Sequence, residues 1–483
     1  MSELVADRSI VRRALPLLAS VAAALALGAC GKKGPSPTTT TPPPTTSAPA
    51  TTPAPEADAA APAPAPDAAA PAPAPDAAAP APAEADAAAP TVAAEADAAV
   101  APPAPTGPAT EVTLWHAYRA GEAEAFEKAI ADYNASQSEV VIKPQAVPYD
   151  AFVDKITITV PQGQGPDLFI FAHNMVGPWV DKGVLEPLSG KVDGEFLKQF
   201  LPDSVRALVY QKNLYGLPLA MKSLVMFYNK KLLPNPPATM EELVAALKPL
   251  QTDERVGIAY QAAGLYFHAM WIYAFGGQIF DDAHNPAFDT PEQVKAIQYV
   301  RGLHFTDKVL PSGLSGDQVT NLFNAGNAVV VFNGPWFRPE IDEKAVDYGM
   351  ATIPTVNGVA PKPMLGIESI FVTKTSTKKE AALKAAMYLA GAASAEVRMK
   401  VGKQPVCHAA TLEKGAAEDP AMKVFLEQAK NAVLMDSTPQ MQILWTPADI
   451  AIGAGVFVED RKPEVELKKA QAKMVSDIAK MGK

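Results

Sequence analysis

Cysteine is nearly missing from this chain. Only Cys30 and Cys407 occur in 483 residues, so no disulfide framework can hold it together. The six histidines, at 116, 173, 268, 284, 304 and 408, are dispersed, with no HExxH and no Cys/His cluster, so neither a metal nor another cofactor is expected. No complete GxSxG, P-loop or GxGxxG is present. Cys407-His408 could be imagined as a nucleophile pair, but adjacent side chains point in different directions and the cysteine reads as a loop residue. An excess of base is also lacking. The net charge is −10, of which the first 33 residues contribute about +3 and the stretch from Glu56 to Asp97 adds eight carboxylates without a base, leaving the part after 110 near −5. That balance argues against nucleic acid or an anionic membrane surface as partner.

What is present divides sharply along the chain. Arg8, Arg12 and Arg13 precede an apolar stretch, Ala14 to Leu27, that is too short to span a bilayer comfortably. The stretch ends in Leu27-Gly28-Ala29-Cys30, which resembles the lipobox of bacterial lipoproteins. The resemblance implies a signal peptide over 1–29 and lipidation of Cys30, whose acyl chains anchor at about 0.8 kcal/mol per buried methylene. An ordinary signal peptide with a cysteine near its cleavage site is the alternative. From 30 to 110 a Thr/Pro-rich stretch gives way to an imperfect DAAAPAPAP repeat with almost no aromatics. Such a segment cannot bury enough apolar surface to offset ordering entropy, and alternating Ala-Pro favours extended polyproline II. It reads as a disordered tether.

The folded part begins at Glu111, and at this length it is expected to form two lobes. Glu111-Val-Thr-Leu-Trp115 alternates like a strand, 121–134 has helical spacing, Val140-Val-Ile142 is a second strand and 148–160 a second helix. This β-α-β-α order predicts a parallel sheet covered by helices. Pro161 to Asp167 is glycine-rich but precedes a strand, Leu168 to Ala172, so it is a turn and not a phosphate loop. Further on, strands are expected at Val256–Tyr260, Ala328–Phe332 and ending at Phe371-Val372. Helices are expected at 266–275, 291–305 and 463–481, and another capped by Thr377 and reaching Gly391.

The stretch from Gly216 to Leu243 organises the rest. An almost unbroken apolar run from Leu217 to Tyr228 reads as a strand buried on both faces, interrupted by one charge, Lys222. Lysine is seldom buried alone, so Lys222 must meet water, an anion or hydroxyls. The PNPP segment after Asn229 forbids helix, and Thr239-Met-Glu-Glu242 caps a new one. A rigid strand that hands the chain to a new body is the expected form of a crossing between lobes.

These residues also carry a resemblance. The run Leu217–Glu242, including Tyr228-Asn229-Lys230 and LLPNPP, is similar to the corresponding stretch of periplasmic maltose-binding proteins. Gly165-Pro-Asp167, Phe171-Ala-His173, Asn333-Gly-Pro-Trp336 and Pro439-Gln-Met441-x-x-x-Trp445 agree in the same order. The resemblance implies a two-lobe α/β periplasmic binding-protein fold with hinge strands, serving an ABC importer. Lobe 1 would comprise 111–220 plus 370–420, and lobe 2 would comprise 221–369 plus 421–483. Ligand would sit in the cleft on the aromatic platforms Tyr266, Trp336 and Trp445. A sugar offers apolar C–H faces to rings and hydroxyls to polar groups at the rim. For Trp271, inside a helix, and Trp115, ending a strand, core packing is expected instead.

The polar set departs from that family's maltose pattern. An acid on the crossing strand is replaced by Lys222, Trp by Phe171, Asp-Arg by Asn174-Met175, the first-loop acid and lysine by Arg119-Ala120, and a glutamate by Gly264. Glu368 is an acid where maltose binders are apolar; it would restore an acceptor beside Lys222, or else lie on the surface. Lys222, Asn174, Phe171, Arg119, Glu368 and Gln442 thus join the three aromatics as candidate ligand contacts. The expected partners are a maltose-like oligosaccharide or related polyol, ABC permease subunits and a membrane through the lipid anchor. The chain is expected to act as an extracytoplasmic, membrane-anchored monomer that catalyses no reaction. The rival readings are a tethered glycoside hydrolase with two carboxylates across the cleft, and a sugar-sensing scaffold that imports nothing.

Overall fold

The structure, a computed structural model, describes residues 108–481. The signal peptide, Cys30 and nearly all of the expected tether lie outside the described residues. The described chain opens with strand β1, Thr110–His116, whose Val112 and Leu114 point into the core. Helix α1, Ala120–Ser136, buries Phe126, Ile130 and Tyr133 on one stripe. Strand β2, Val140–Ala146, then returns parallel to β1, with Thr110 opposite Val140. Helix α2, Tyr149–Thr159, and strand β3, Leu168–Ala172, complete a β-α-β-α-β unit in which β3 is also parallel to β1. The expected parallel sheet is there. The glycine-rich segment before β3 is a turn, fixed by Asp167, whose carboxylate accepts from the Thr113 N–H at 2.9 Å and from the Ser376 hydroxyl at 2.7 Å.

The apolar run after Gly216 is not one strand but two. Strand β4, Gly216–Lys222, lies in the first sheet, and strand β5, Val225–Asn229, in the second. Only Ser223 and Leu224 separate them, so the chain passes between sheets in two residues. The second sheet adds β6, Val256–Ala259, then after helix α3, Leu265–Ala274, strands β7, Ala328–Asn333, and β8, Tyr348–Ala351, in the spatial order β8-β5-β7-β6. These strands read as continuous apolar runs because helices cover both faces of the sheet. Trp271, on α3, is wholly buried, and Trp115 is buried at the end of β1, as packing residues.

The chain returns to the first sheet through β9, Met364–Val372, which lies antiparallel between β3 and β4. The expected lobe boundaries at 220/221 and 369/370 therefore both fall inside strands and need correcting: β4 stays in the first sheet to Lys222, and all of β9 belongs there too, paired with β4 from Gly366 onward. Helix α4, Ala392–Lys400, packs against α1. The short strand β10, Val433–Leu434, runs parallel to the start of β9, and helix α5, Pro439–Phe457, packs on the terminal helix Pro463–Ile478. One expected cap is also corrected. The helix Lys379–Ala390 starts from Lys378 rather than Thr377 and has no side-chain cap, whereas Thr239 and Thr290 do cap theirs.

Candidate functional site

Lys222 ends β4 at the point where the chain leaves the first sheet, and two acids meet its ammonium. In the ladder Lys222 faces Gly366, which has no side chain, so Glu368 is its diagonal neighbour on the same face. Its Oε2 lies 3.2 Å from Lys222 Nζ. The expected Lys222–Glu368 contact is present. The second acid was not anticipated: Glu122, in the first turn of α1, forms a close ion pair with the same Nζ. The three side chains are 12, 8 and 19 % exposed for Lys222, Glu122 and Glu368. Burial opposes charge on Lys222, but the two carboxylates together hold its pKa above the ordinary lysine value. Burial raises the pKa of Glu368, and Lys222 reverses only part of that rise. Lys222 lies between these two carboxylates, where a scissile glycosidic bond would have to sit, so this pair is not set out as a glycosidase pair.

A β-bulge shapes the floor of this cluster. Register shifts between Glu368 and Ser369, where the partner strand carries Pro218, a residue tolerated in sheets at such irregularities. The Leu219 carbonyl accepts from Arg398 Nη1 at 3.0 Å and from the Cys407 N–H at 2.9 Å. Arg398, on α4, has no exposure, and its remaining bonds go to Ser394 Oγ and the Leu389 carbonyl. Gln404 Nε2 donates to Glu122 at 3.0 Å, and the Tyr118 ring lies 5.7 Å from Lys222 Nζ. Cys407 is buried and its thiol is pushed up to about 12, so it is no nucleophile.

Aromatic rings gather over this polar floor. The Tyr266 hydroxyl, in the first turn of α3, donates to the Lys222 carbonyl at 3.1 Å, and its ring lies 6.0 Å from Trp336. Trp336 is half-buried and packs against the core clusters on both faces of the second sheet. A third ring was missed from sequence. Tyr149 at the start of α2 is 62 % exposed, stacks at 5.3 Å on Phe171, and Phe171 in turn stacks at 5.2 Å on Phe152. Burial raises the Tyr266 pKa, and the nearby Tyr149 hydroxyl raises it further; Tyr149 in turn feels the charges of Glu368 and Lys222. The two tyrosines, one on each sheet's helices, therefore share one neighbourhood above Lys222.

The other candidates are placed differently. Phe171 is a buried ring backing Tyr149. Trp445 is half-buried on α5 against the second core, and no ring pairing joins it to Tyr266 or Trp336 among the described residues. Gln442 donates to the carbonyl of buried Asn174 at 3.2 Å, tying α5 to the end of β3. Arg119 is an exposed N-cap of α1, 3.6 Å from Glu340. Beside Asn174, His173 is fully buried: its Nδ1 accepts from the Ile367 N–H and its Nε2 donates to the Met435 carbonyl, both at 2.9 Å. A separate groove of about 460 Å3, lined in part by Tyr273, Phe280, Lys362, Met364, Met435 and Asp436, contains none of the rings or charges above Lys222. No group of three metal-ligating side chains occurs among the described residues.

The family model for bacterial extracellular solute-binding proteins matches residues 119–396. The maltotriose-binding protein of Pyrococcus abyssi is 27% identical over 382 residues, covering 76% of this chain and 82% of that protein. The galactooligosaccharide-binding protein of Bacillus subtilis is 26% identical over 343 residues, covering 68% and 79%. A maltooligosaccharide ABC transporter solute-binding lipoprotein of Streptococcus pneumoniae is 25% identical over 323 residues, covering 61% and 73%. Among solved structures, the Thermus thermophilus maltotriose-binding protein bound with maltotriose superposes with a TM-score of 0.71 at 25% identity, covering 76% of this chain and 100% of that one.

Proposed function

Because the chain belongs to the bacterial extracellular solute-binding proteins, we propose that it captures a maltose-like oligosaccharide outside the cytoplasm and delivers it to the membrane subunits of an ABC importer. The observation that carries this reading is the convergence of Tyr266 and Trp336 over the Lys222–Glu122–Glu368 cluster, with Tyr149 close enough to feel the charges of Lys222 and Glu368, where the chain crosses between its two sheets. Rings offer flat apolar surfaces to sugar C–H faces, and the charged cluster offers directed bonds to hydroxyls. Relatives whose names specify maltotriose, galactooligosaccharide and maltooligosaccharide support an oligosaccharide ligand. Trp445, Gln442, Asn174 and Arg119, on α5, the end of β3 and the start of α1, would extend the contacts along a longer ligand. Phe171 would act by fixing Tyr149.

In this reading the two lobes close on the ligand about their connecting segments, and the importer recognises the closed form. The lobes would follow the boundaries read from the sequence, with all of β4, β9 and β10 counted with lobe 1. Cys30, acylated, would hold the molecule to a membrane as a monomer, with the Ala/Pro-rich segment as spacer. Thermal melts of the mature chain against maltotriose, galactotriose and longer homologues test the reading. A true ligand at a hundred times its Kd adds about 2.7 kcal/mol of stability without turnover. Failure of every oligosaccharide to raise the melting temperature overturns it.

A further inference from the structure

The cluster at Lys222 has an electrostatic character that the carbohydrate reading alone does not specify. Its three partly accessible charges are two carboxylates and one ammonium, Glu122, Glu368 and Lys222, leaving an excess of one negative charge. The ammonium is already shared between both acids. The compensating cation, Arg398, is fully buried and directs its donors to Leu219, Leu389 and Ser394, so it cannot reach a ligand. The exposed cation nearby, Arg119, faces Glu340.

The unsatisfied atoms around the cluster point the same way. Gln404 is buried, its amide nitrogen is committed to Glu122, and its Oε1 has no partner. Glu368 Oε2 is held in the Lys222 ion pair and lies beside the hydroxyl of buried Tyr118. Gln404 Oε1 can only accept, and the Glu368 carboxylate keeps acceptor positions beyond those two contacts. Buried acceptors without donors are costly, so the place is completed by a group that brings O–H or N–H donors.

We infer that Glu122, Lys222 and Glu368, backed by Gln404 and Tyr118, form a charge filter that admits neutral, hydroxyl-donating sugars and rejects anionic ones such as uronides or sugar phosphates. A neutral sugar donates its hydroxyls to the free acceptor positions. A carboxylate or phosphate brings only acceptors and a like charge, and the cations described around the cluster, Lys222, Arg398 and Arg119, are already paired or turned to other acceptors. The inference rests on the carbohydrate reading and adds the sign of the ligand's charge to it.

Calorimetric titration of the full mature chain at pH 7.5 with maltotriose, galactotriose and trigalacturonic acid tests both. The expected result is that a neutral trisaccharide binds and the anionic one is at least about a hundredfold weaker, the scale on which like-charge contacts discriminate. Glu368→Gln, which keeps the shape and removes one negative charge, should narrow that ratio at least about tenfold, and Glu122→Gln should do the same. Trigalacturonate binding within tenfold of the better neutral sugar in the unmodified protein overturns the filter, whatever the variants do. So does a ratio that neither variant moves while its melting temperature stays unchanged. If both sugar types bind alike, only the filter falls. If none of the sugars binds, the carbohydrate reading falls and the filter with it.

Discussion

At Gly334 an added Cβ would lie 2.2 Å from the six-membered ring of Trp336, closer than any real contact. The backbone there is extended, so the restriction comes from space and not from torsion. Gly334 lets the indole fold back over its own turn and face Tyr266 at 6.0 Å. Gly334→Ala must therefore swing the ring away while leaving the buried strand before it intact. Oligosaccharide affinity should fall about tenfold, or 1.4 kcal/mol, with a much smaller change in melting temperature; calorimetry and thermal melts on the same sample check both, and undiminished affinity would show that the ring is not a platform. Trp336 was legible in the sequence because Gly-Pro before it marks an element end. Glu122 and Tyr149 were not legible. Glu122 lies 100 residues from Lys222 and looks like any acid favouring a helix N-terminus. Tyr149 opens an amphipathic helix, and only the stacked Phe171 and Phe152 beneath it leave its outer face open.

At the scale of elements, β3, β9 and the segment leading into α5 meet on one imidazole. His173 accepts from Ile367 and donates to Met435, a pattern available only to the neutral ring with its proton on Nε2. Burial lowers its pKa to about 4, only partly opposed by its bond to the Met435 carbonyl. The unfolded chain, with an ordinary value of 6.5, binds that proton more readily between the two values. The stabilising effect is thus complete above about pH 6.5 and is lost as pH falls toward about 4, by about 3 kcal/mol for the full shift. His173→Gln keeps one donor and one acceptor without titrating, so its urea midpoint should fall less steeply from pH 7 to 4.5 than that of the unmodified protein. His116 and His268, lowered by burial to about 4 and about 3, and His408, also lowered, remain in both and contribute to the common slope. Parallel curves would remove His173 from this role. Of the strands it joins, β3 was legible as an apolar run after Gly165-Pro166, and β9 only by its end at Phe371-Val372. The division of the run after Gly216 between two sheets was not, because a run buried on both faces has the same composition whichever sheet receives it, and the change at Ser223-Leu224 leaves no local mark.

For the whole molecule, the connection between lobes decides how a ligand can act. The crossing from β4 to β5 occupies two residues, and the return from β8 to β9 spans residues 352–363. Each sheet is buried by its own helices, so interior rearrangement is costly and the connecting segments are where change is least expensive. Tyr149 reaches the site from a helix of the first sheet, and Tyr266 and Trp336 from elements of the second. A ligand that touches both sets binds the approached form more tightly than the separated form, and moving a population from 1:99 to 99:1 takes about 5.5 kcal/mol of such preference. Small-angle scattering of the folded region should therefore show a smaller radius of gyration at saturating oligosaccharide. Tyr266→Ala, which removes one of the two rings on the second-sheet side and its bond to Lys222, should weaken binding and require more ligand for the same compaction. A scattering profile unchanged at full occupancy would mean that the lobes do not move on binding, and that an importer must recognise something other than closure.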